Sequence, residues 1–292
     1  MQPDRRRSEP ETQGQGPDTS APAVDLIVPC YNEDPSAVDR TVRALTGQTL
    51  RPRRVIVVDD CSRDPAAAEA GRPVGAEVVR LSENGGISKA RNVGLGMVDA
   101  PVIGFVNVEV LPDPEWLQVC VDYLAAHPRV GVVEVFVGPE DPRPLLARWR
   151  MRYHEAHYPD ASGPVSWTAG HAMIFRTDAM RAVGGFDEDR RKAGESLDIC
   201  FRLKDAGWEV HYVAETRAVS IQQDTFRVLA RAEYNRSIYR TETGNGIMRG
   251  LAIAANRMVQ RSLRHVVFLR WPLLLVEPGL FVWQLPWLWR HR

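Results

Sequence analysis

From Val24 onward, short runs of β-branched residues alternate with stretches of helical pattern, and this alternation constrains the fold more than any other feature of the chain. VDLIVP (24–29), RVIVVDD (54–60), AEVVRL (76–81) and PVIGFVNV (101–108) read as strands, with VGVVEVFV (130–137) as a fifth. Helical candidates begin near Ser36, Pro65 and Ile87 and again after Pro112, which is the pattern of βαβ units feeding a mostly parallel sheet. In such sheets a ligand sits beyond the carboxyl ends of the strands. Tyr31 to Glu33, Asp59 to Asp64 and Asn107 to Glu109 are therefore expected to share one crevice.

The second half is less regular. It offers a helix at 143–157, a strand around 171–175, a GGFDE turn at 184–188, a helix from Glu195 to Ala206 and, after another strand at Val210 to Val213, a basic helical stretch from Asp224 to Arg264. With 292 residues and 44% hydrophobic content, one large α/β domain with appendages is the simplest organisation. Residues 1–22 are polar and rich in Pro, Gln and Gly and are expected to be a disordered tail, 23–222 the domain, and 223–292 a helical and aromatic-apolar extension. The 37 basic and 37 acidic residues balance, so no global field draws the chain to nucleic acid. Cys30, Cys61, Cys120 and Cys200 lack paired spacing and read as reduced core thiols of a cytoplasmic protein.

Val28-Pro29-Cys30-Tyr31-Asn32-Glu33 and Asp59-Asp60-Cys61-Ser62-Arg63-Asp64 resemble the VPxYNE and VDDxSxD signatures of family 2 glycosyltransferases. The resemblance continues through Asn84-Gly85-Gly86-Ile87-Ser88-Lys89-Ala90-Arg91-Asn92-Val93-Gly94 (NxGxxxARNxG), Asn107-Val108-Glu109 (DxD), Gly184 to Glu188, and Gly194 to Leu203. About 200 residues are covered in the expected order; each motif alone is weak, and the ordered set is specific. It implies a GT-A (nucleotide-diphospho-sugar transferase) fold, Rossmann-like, with an inverting transfer of sugar from a nucleotide-diphosphate donor.

On that resemblance the donor site comprises Pro29, Tyr31, Glu33, Asp59, Lys89, Arg91, Asn107 and Glu109. Asp59 would read the base through a charge-assisted hydrogen bond and Tyr31 would wall it, while Asp60 is equally well a helix cap. Gly85 and Gly86 admit close backbone approach at a helix start, or simply make a tight turn. Trp167, Gly185 and Asp187 match the region that shapes the sugar and acceptor pocket, with a core aromatic and a plain turn as the alternatives.

Three positions depart from the family pattern. The DxD motif reads Asn107-Val108-Glu109, so a divalent Mg²⁺ or Mn²⁺ keeps one carboxylate and one neutral amide as ligands. Ser196 stands where the family places the base that deprotonates the acceptor, leaving Glu195, Asp198 or His171 to take the proton. Ser220 falls where many relatives have a metal- or phosphate-binding histidine. Two readings follow. One is a metal-independent transferase in which Arg190, Arg191 and Lys192 neutralise the diphosphate; the other is a domain that binds a nucleotide or a partner without transferring sugar.

His154 and His157 around Glu155 lack the i,i+4 spacing of a helical zinc pair. The acceptor's class stays open: small molecule, peptide or lipid-linked. The tail holds Trp271, Trp283, Trp287 and Trp289 but is broken by Pro272, Pro278 and Pro286, which argues against a spanning helix. It suits peripheral contact at the inner membrane face, or packing on its own domain or a sister subunit.

Overall fold

The computed structural model describes residues 22–155, 158–189 and 194–230, together with residues 276, 278 and 282. Residues 1–21, Arg190 to Lys192, His157 and the basic and tryptophan-rich C-terminal stretches lie outside the described residues.

The first half is the expected parallel sheet. β1 (Val24–Cys30), β2 (Arg54–Asp59), β3 (Glu77–Arg80) and β4 (Val102–Val106) stand in the order β3-β2-β1-β4, all parallel. α1 (Pro35–Thr46), α2 (Ala66–Glu69) and α3 (Ile87–Gly96) lie in the crossovers. α1 starts where the chain dictates: the Asp34 carboxylate accepts from the Ser36 N–H at 2.8 Å, and Pro35 fills the first helical position. All seven residues of β1 are buried, because both faces of the sheet are covered. Leu26 and Val28 join a core with Val38 and Leu45 of α1, whereas Ile27 turns to the opposite core with Ala90 of α3 and Phe105 of β4.

The second half changes direction. It contributes β5 (Val110–Pro112), α4 (Trp116–Ala126), β6 (Val130–Pro139), α5 (Leu145–Glu155), β7 (Gly163–Pro164), β8 (Ala172–Arg176), α6 (Thr177–Ala182), α7 (Glu195–Asp205) and β9 (Glu209–Ser220). The sheet continues β4-β8-β6-β9-β5, with β8 antiparallel to both β4 and β6, β9 parallel to β6, and β5 and β7 antiparallel to β9. β9 is a twelve-residue strand where the sequence suggested only Val210 to Val213. That length matters for the site: Ser220 pairs with Val110, and the Ile221 N–H reaches the Glu109 carbonyl at 2.9 Å, so the end of β9 lies against the turn after β4.

A small third cluster holds α5 in place. Trp149, 2% exposed, shares it with Leu229, Ala230 and Val276. Among the described residues no helix is long and apolar enough to cross a membrane.

Candidate active site

Among the described residues three other than glycine have positive φ: Asn32 (53°), Cys61 (59°) and Glu109 (70°). They follow the carboxyl ends of β1, β2 and β4 respectively, so the strained backbone gathers at the one edge where parallel strands deliver their loops. Two of these loops are tied together: the Asn32 N–H donates to Ser62 Oγ at 2.9 Å, and the Arg63 N–H donates to Asn32 Oδ1 at 2.9 Å.

At this edge lies a cleft of about 270 Å³ lined by Pro29, Glu33, Asn107, Glu109, His171 and Ser220 among others. Four segments distant in sequence thus meet; the loops after β1 and β4 are among them as expected, whereas no residue of Asp59 to Asp64 lines this cleft. Burial, and then the nearby Glu109, push the Glu33 carboxyl up to about 7. Burial also raises Glu109, opposed by the charge of Arg150.

Below the cleft floor sits Arg91, fully buried. Its Nη1 donates to Glu195 Oε1 at 3.1 Å; its Nη2 donates to Asn107 Oδ1 and to the Gly170 carbonyl, both at 2.9 Å. The guanidinium also lies 5.0 Å over the Phe186 ring. Arg91 therefore joins the DxD-like turn, the loop before β8 and the start of α7 from beneath, instead of facing a ligand directly.

The rest of the α3 motif is likewise turned inward. Asp60 does not cap α2. Its carboxylate accepts from the Gly85 and Gly86 N–H groups, each at 2.7 Å, and from Asn84 Nδ2 at 2.8 Å. The Asp60 carboxylate thus occupies the N–H groups at this helix start. Asn92 clasps the GGFDE turn, donating to the Phe186 carbonyl and accepting its N–H, both at 2.8 Å. A Cβ on Gly185 (φ +76°) would lie 2.7 Å from Asn92 Oδ1, which accounts for the glycine structurally. Lys89 pairs with Glu188 of the same turn at 3.0 Å, and Asp187 accepts from the Asp189 N–H.

Asp59 is 1% exposed. Its carboxylate accepts from the Ser62 N–H at 3.0 Å and from the Ser62 hydroxyl, and pairs with Arg80. It braces the β2 loop and does not line the cleft. Tyr31 is 45% exposed at the same edge, with its ring open to solvent. Trp167 is half-buried against the core on the α3 and α7 side of the sheet.

On the catalytic side, Ser196 is buried against Gly170, whose hypothetical Cβ would come within 2.7 Å of the serine Cβ. Glu195 is engaged by Arg91, and Asp198 by Arg202 at 2.7 Å. His171 alone of the three candidate proton acceptors lines the cleft. Its backbone is held at both ends: its N–H donates to Glu134 at 2.8 Å and its carbonyl accepts from the Asn107 N–H at 2.9 Å.

Glu134 was not singled out from the sequence. It is fully buried, accepts N–H groups from Ala169, Gly170 and His171 and the Tyr158 hydroxyl, and so fixes the whole loop before β8. A single carboxylate inside the apolar run VGVVEVFV is the signal that marks it. Arg150, Gln222 and Asp224 also line the cleft without having been anticipated.

The family's divalent cation can be tested against these side chains. Asn107 gives its amide oxygen to Arg91, Ser220 brings a hydroxyl in place of an imidazole, and Glu109 is the one carboxylate left in the motif. Among the described residues no three His, Cys, Asp or Glu side chains gather to hold a metal ion. This donor set does not fit the group.

The profile described as "Glycosyl transferase family 2" matches residues 25–184, more than half of the chain. The chain belongs to glycosyl transferase family 2. A second profile, "Glycosyl transferase family group 2", matches residues 109–289. A pre-mycofactocin glycosyltransferase of Mycobacterium tuberculosis is 30% identical over 201 residues, which span 65% of this chain and 40% of that protein. The chain thus spans less than half the length of this relative. An N-acetylglucosaminyl-diphospho-decaprenol L-rhamnosyltransferase from the same species is 25% identical, over 83% of this chain and 94% of its own length. Among solved structures, a mannosyltransferase from Pyrobaculum calidifontis in complex with GDP-Man and Mn²⁺ superposes with a TM-score of 0.61 at 17% identity, covering 94% of this chain and 89% of its own. GalNAc-T7 with UDP, GalNAc and Mn²⁺ gives 0.57 at 16% identity, covering 74% of this chain and 48% of its own. These structures establish that this family 2 chain has the GT-A fold.

Proposed function

We propose that the chain is a glycosyltransferase that takes a sugar from a nucleoside-diphosphate donor bound in the cleft walled by Pro29, Glu33, Asn107 and Glu109. The observation that carries this reading is the convergence of the β1, β4, β8 and β9 segments on one cavity at the carboxyl edge of the parallel strands. Tyr31, exposed just after β1, is the surface on which a base would stack. On this reading Trp167 and the Asn92-clasped turn at Gly185 and Asp187 would shape the acceptor side, although none of the three lines the cleft itself.

In the transfer, an acceptor hydroxyl attacks the anomeric carbon on the face opposite the phosphate. The bond from that carbon to the diphosphate oxygen breaks with inversion, and the nucleoside diphosphate leaves. The hydroxyl proton passes to the His171 imidazole, the cleft-lining candidate, whose backbone is fixed by Glu134 and Asn107. Glu195, held by Arg91, positions the start of α7.

A panel of nucleotide sugars assayed for nucleoside-diphosphate release, in Mn²⁺ and in EDTA, tests the reading. Release is expected for one donor, with His171→Asn lowering turnover by about two to four orders of magnitude at unchanged donor affinity. Nucleotide binding without release under every condition would leave a binding domain in place of an enzyme. If neither binding nor release occurred, the donor assignment itself would fall.

A further inference from the structure

The cleft has a wall that no motif announces. Arg150, on α5, projects into it alongside Glu109, His171 and Ser220. Its Nε lies 3.1 Å from Asp224 Oδ2, and its Nη1 donates to Ser220 Oγ at a long 3.4 Å. Nη2 is buried with no hydrogen-bond partner, and neither carboxylate oxygen of Asp224 receives a hydrogen bond. The two side chains are 13% and 2% exposed, so this is a buried ion pair made by charge alone, and Nε and Nη2 of a cleft-lining arginine are left without acceptors. Buried polar groups are ordinarily bonded, and an arginine left short of acceptors in a cleft is the arrangement that an anionic ligand completes.

Position adds a second argument. Arg150 stands beside Glu109, the one carboxylate left in the DxD-like motif, and Ser220, a hydroxyl where the family pattern has an imidazole, a donor set that does not suit a cation. We propose that Arg150 supplies the positive charge that meets the donor's diphosphate, in place of a bound metal ion. This rests on the nucleoside-diphosphate reading above. The guanidinium stays protonated throughout. It donates hydrogen bonds to phosphate oxygens and takes up the negative charge that grows there as the bond to the sugar breaks, so no proton or electron is exchanged with it.

The neighbouring carboxylates set the balance. Glu109 and Asp224 face the guanidinium, and Glu33, raised to about 7 by burial and by Glu109, carries a proton part of the time at neutral pH, which lowers the opposition to an anion. α5 itself is anchored independently of this charge, through Trp149 in the third apolar cluster, so the guanidinium is presented from a fixed element.

Calorimetric binding of inorganic pyrophosphate, UDP and GDP to the full chain in EDTA tests the assignment, with thermal midpoints as a check on folding. Wild type is expected to bind a diphosphate without metal. Arg150→Gln should weaken that binding tenfold or more, and Arg150→Lys, which keeps the charge but loses the planar fork, by less. Asp224→Asn, which releases the guanidinium from its ion pair, should bind at least as tightly as wild type, a result that a merely structural pair would not give. Binding by Arg150→Gln within twofold of wild type would overturn the proposal. So would equal losses in Asp224→Asn and Arg150→Gln, and Asp224→Asn keeps the question decidable if Arg150→Gln fails to fold. Binding that appears only with Mn²⁺ would remove the role of Arg150 while leaving the donor reading intact. No binding of any of the three probes, with or without Mn²⁺, would end both.

Discussion

Arg91 and Arg150 are both guanidiniums buried near the strand-end edge, and their surroundings treat them in opposite ways. Arg91 spends its terminal nitrogens on Glu195, Asn107 and Gly170, three partners from three segments, beneath the cleft. Arg150 meets one carboxylate without hydrogen-bond geometry and faces the cavity. The Nε of each lacks a partner, but both terminal nitrogens of Arg91 are bonded, whereas Nη2 of Arg150 is not. A guanidinium with its terminal nitrogens engaged holds elements in register, and one with a terminal nitrogen unpaired can answer a ligand. The floor of the site is thus built for rigidity and its wall for recognition.

Removing Arg91 should produce the largest change in the molecule. Arg91→Met leaves Glu195 and Asn107 without their buried donor, and loss of one member of a buried ion pair costs about 3–5 kcal/mol. A urea unfolding midpoint measures it. A loss below about 1 kcal/mol would show that the floor does not hang on this arginine, and the contrast with Arg150 would collapse.

Next in size is Gly170→Ala. Gly170 has φ +87°, and a methyl group there would lie 2.7 Å from Ser196 Cβ. The left-handed backbone and the contact together are expected to cost about 2–3 kcal/mol. The double variant with Ser196→Gly separates the two causes: it should recover the steric part and leave the backbone part of about 1 kcal/mol. Full recovery would mean that the loop before β8 relaxes out of its left-handed turn, in which case Glu134 does not hold it as firmly as its three N–H acceptances imply.

The same contrast explains what the sequence could reveal. The strands 24–29, 54–60 and 101–108 were legible because the apolar runs are continuous, and observed boundaries fall within two residues. The convergence of Glu33, Asn107 and Glu109 followed from parallel topology alone. Roles within the motifs were not legible. Asp59, Asp60, Arg91 and Asn92 are the residue types that bind nucleotides, and here they face Arg80, the Gly85 turn, Glu195 and Phe186. A motif gives the residue and not the direction of its side chain. Arg150 was invisible for a different reason. It sits in RWRMR, where several arginines share one helix, and only the fold shows that this one turns toward Glu109.

The smallest effect isolates the wall. Glu33 has its carboxyl raised from 4.5 to about 7, chiefly by burial and then by Glu109. The folded state therefore holds this proton more tightly than the unfolded chain does. Stability is highest with the group protonated, falls as pH rises above 4.5, and levels off above about 7. The shift corresponds to at most about 3 kcal/mol, which partial exposure of the side chain screens to about 1 kcal/mol. Glu33→Gln should flatten the slope between pH 5 and pH 8 in urea midpoints and raise the midpoint at pH 8. Glu109, also raised by burial, leaves a residual slope. The same substitution should strengthen binding of an anionic nucleotide sugar at pH 8 and leave it nearly unchanged at pH 5, where wild-type Glu33 is already protonated. A wild-type slope that persists undiminished in Glu33→Gln would place the titrating group elsewhere and would remove Glu33 from the charge balance around Arg150.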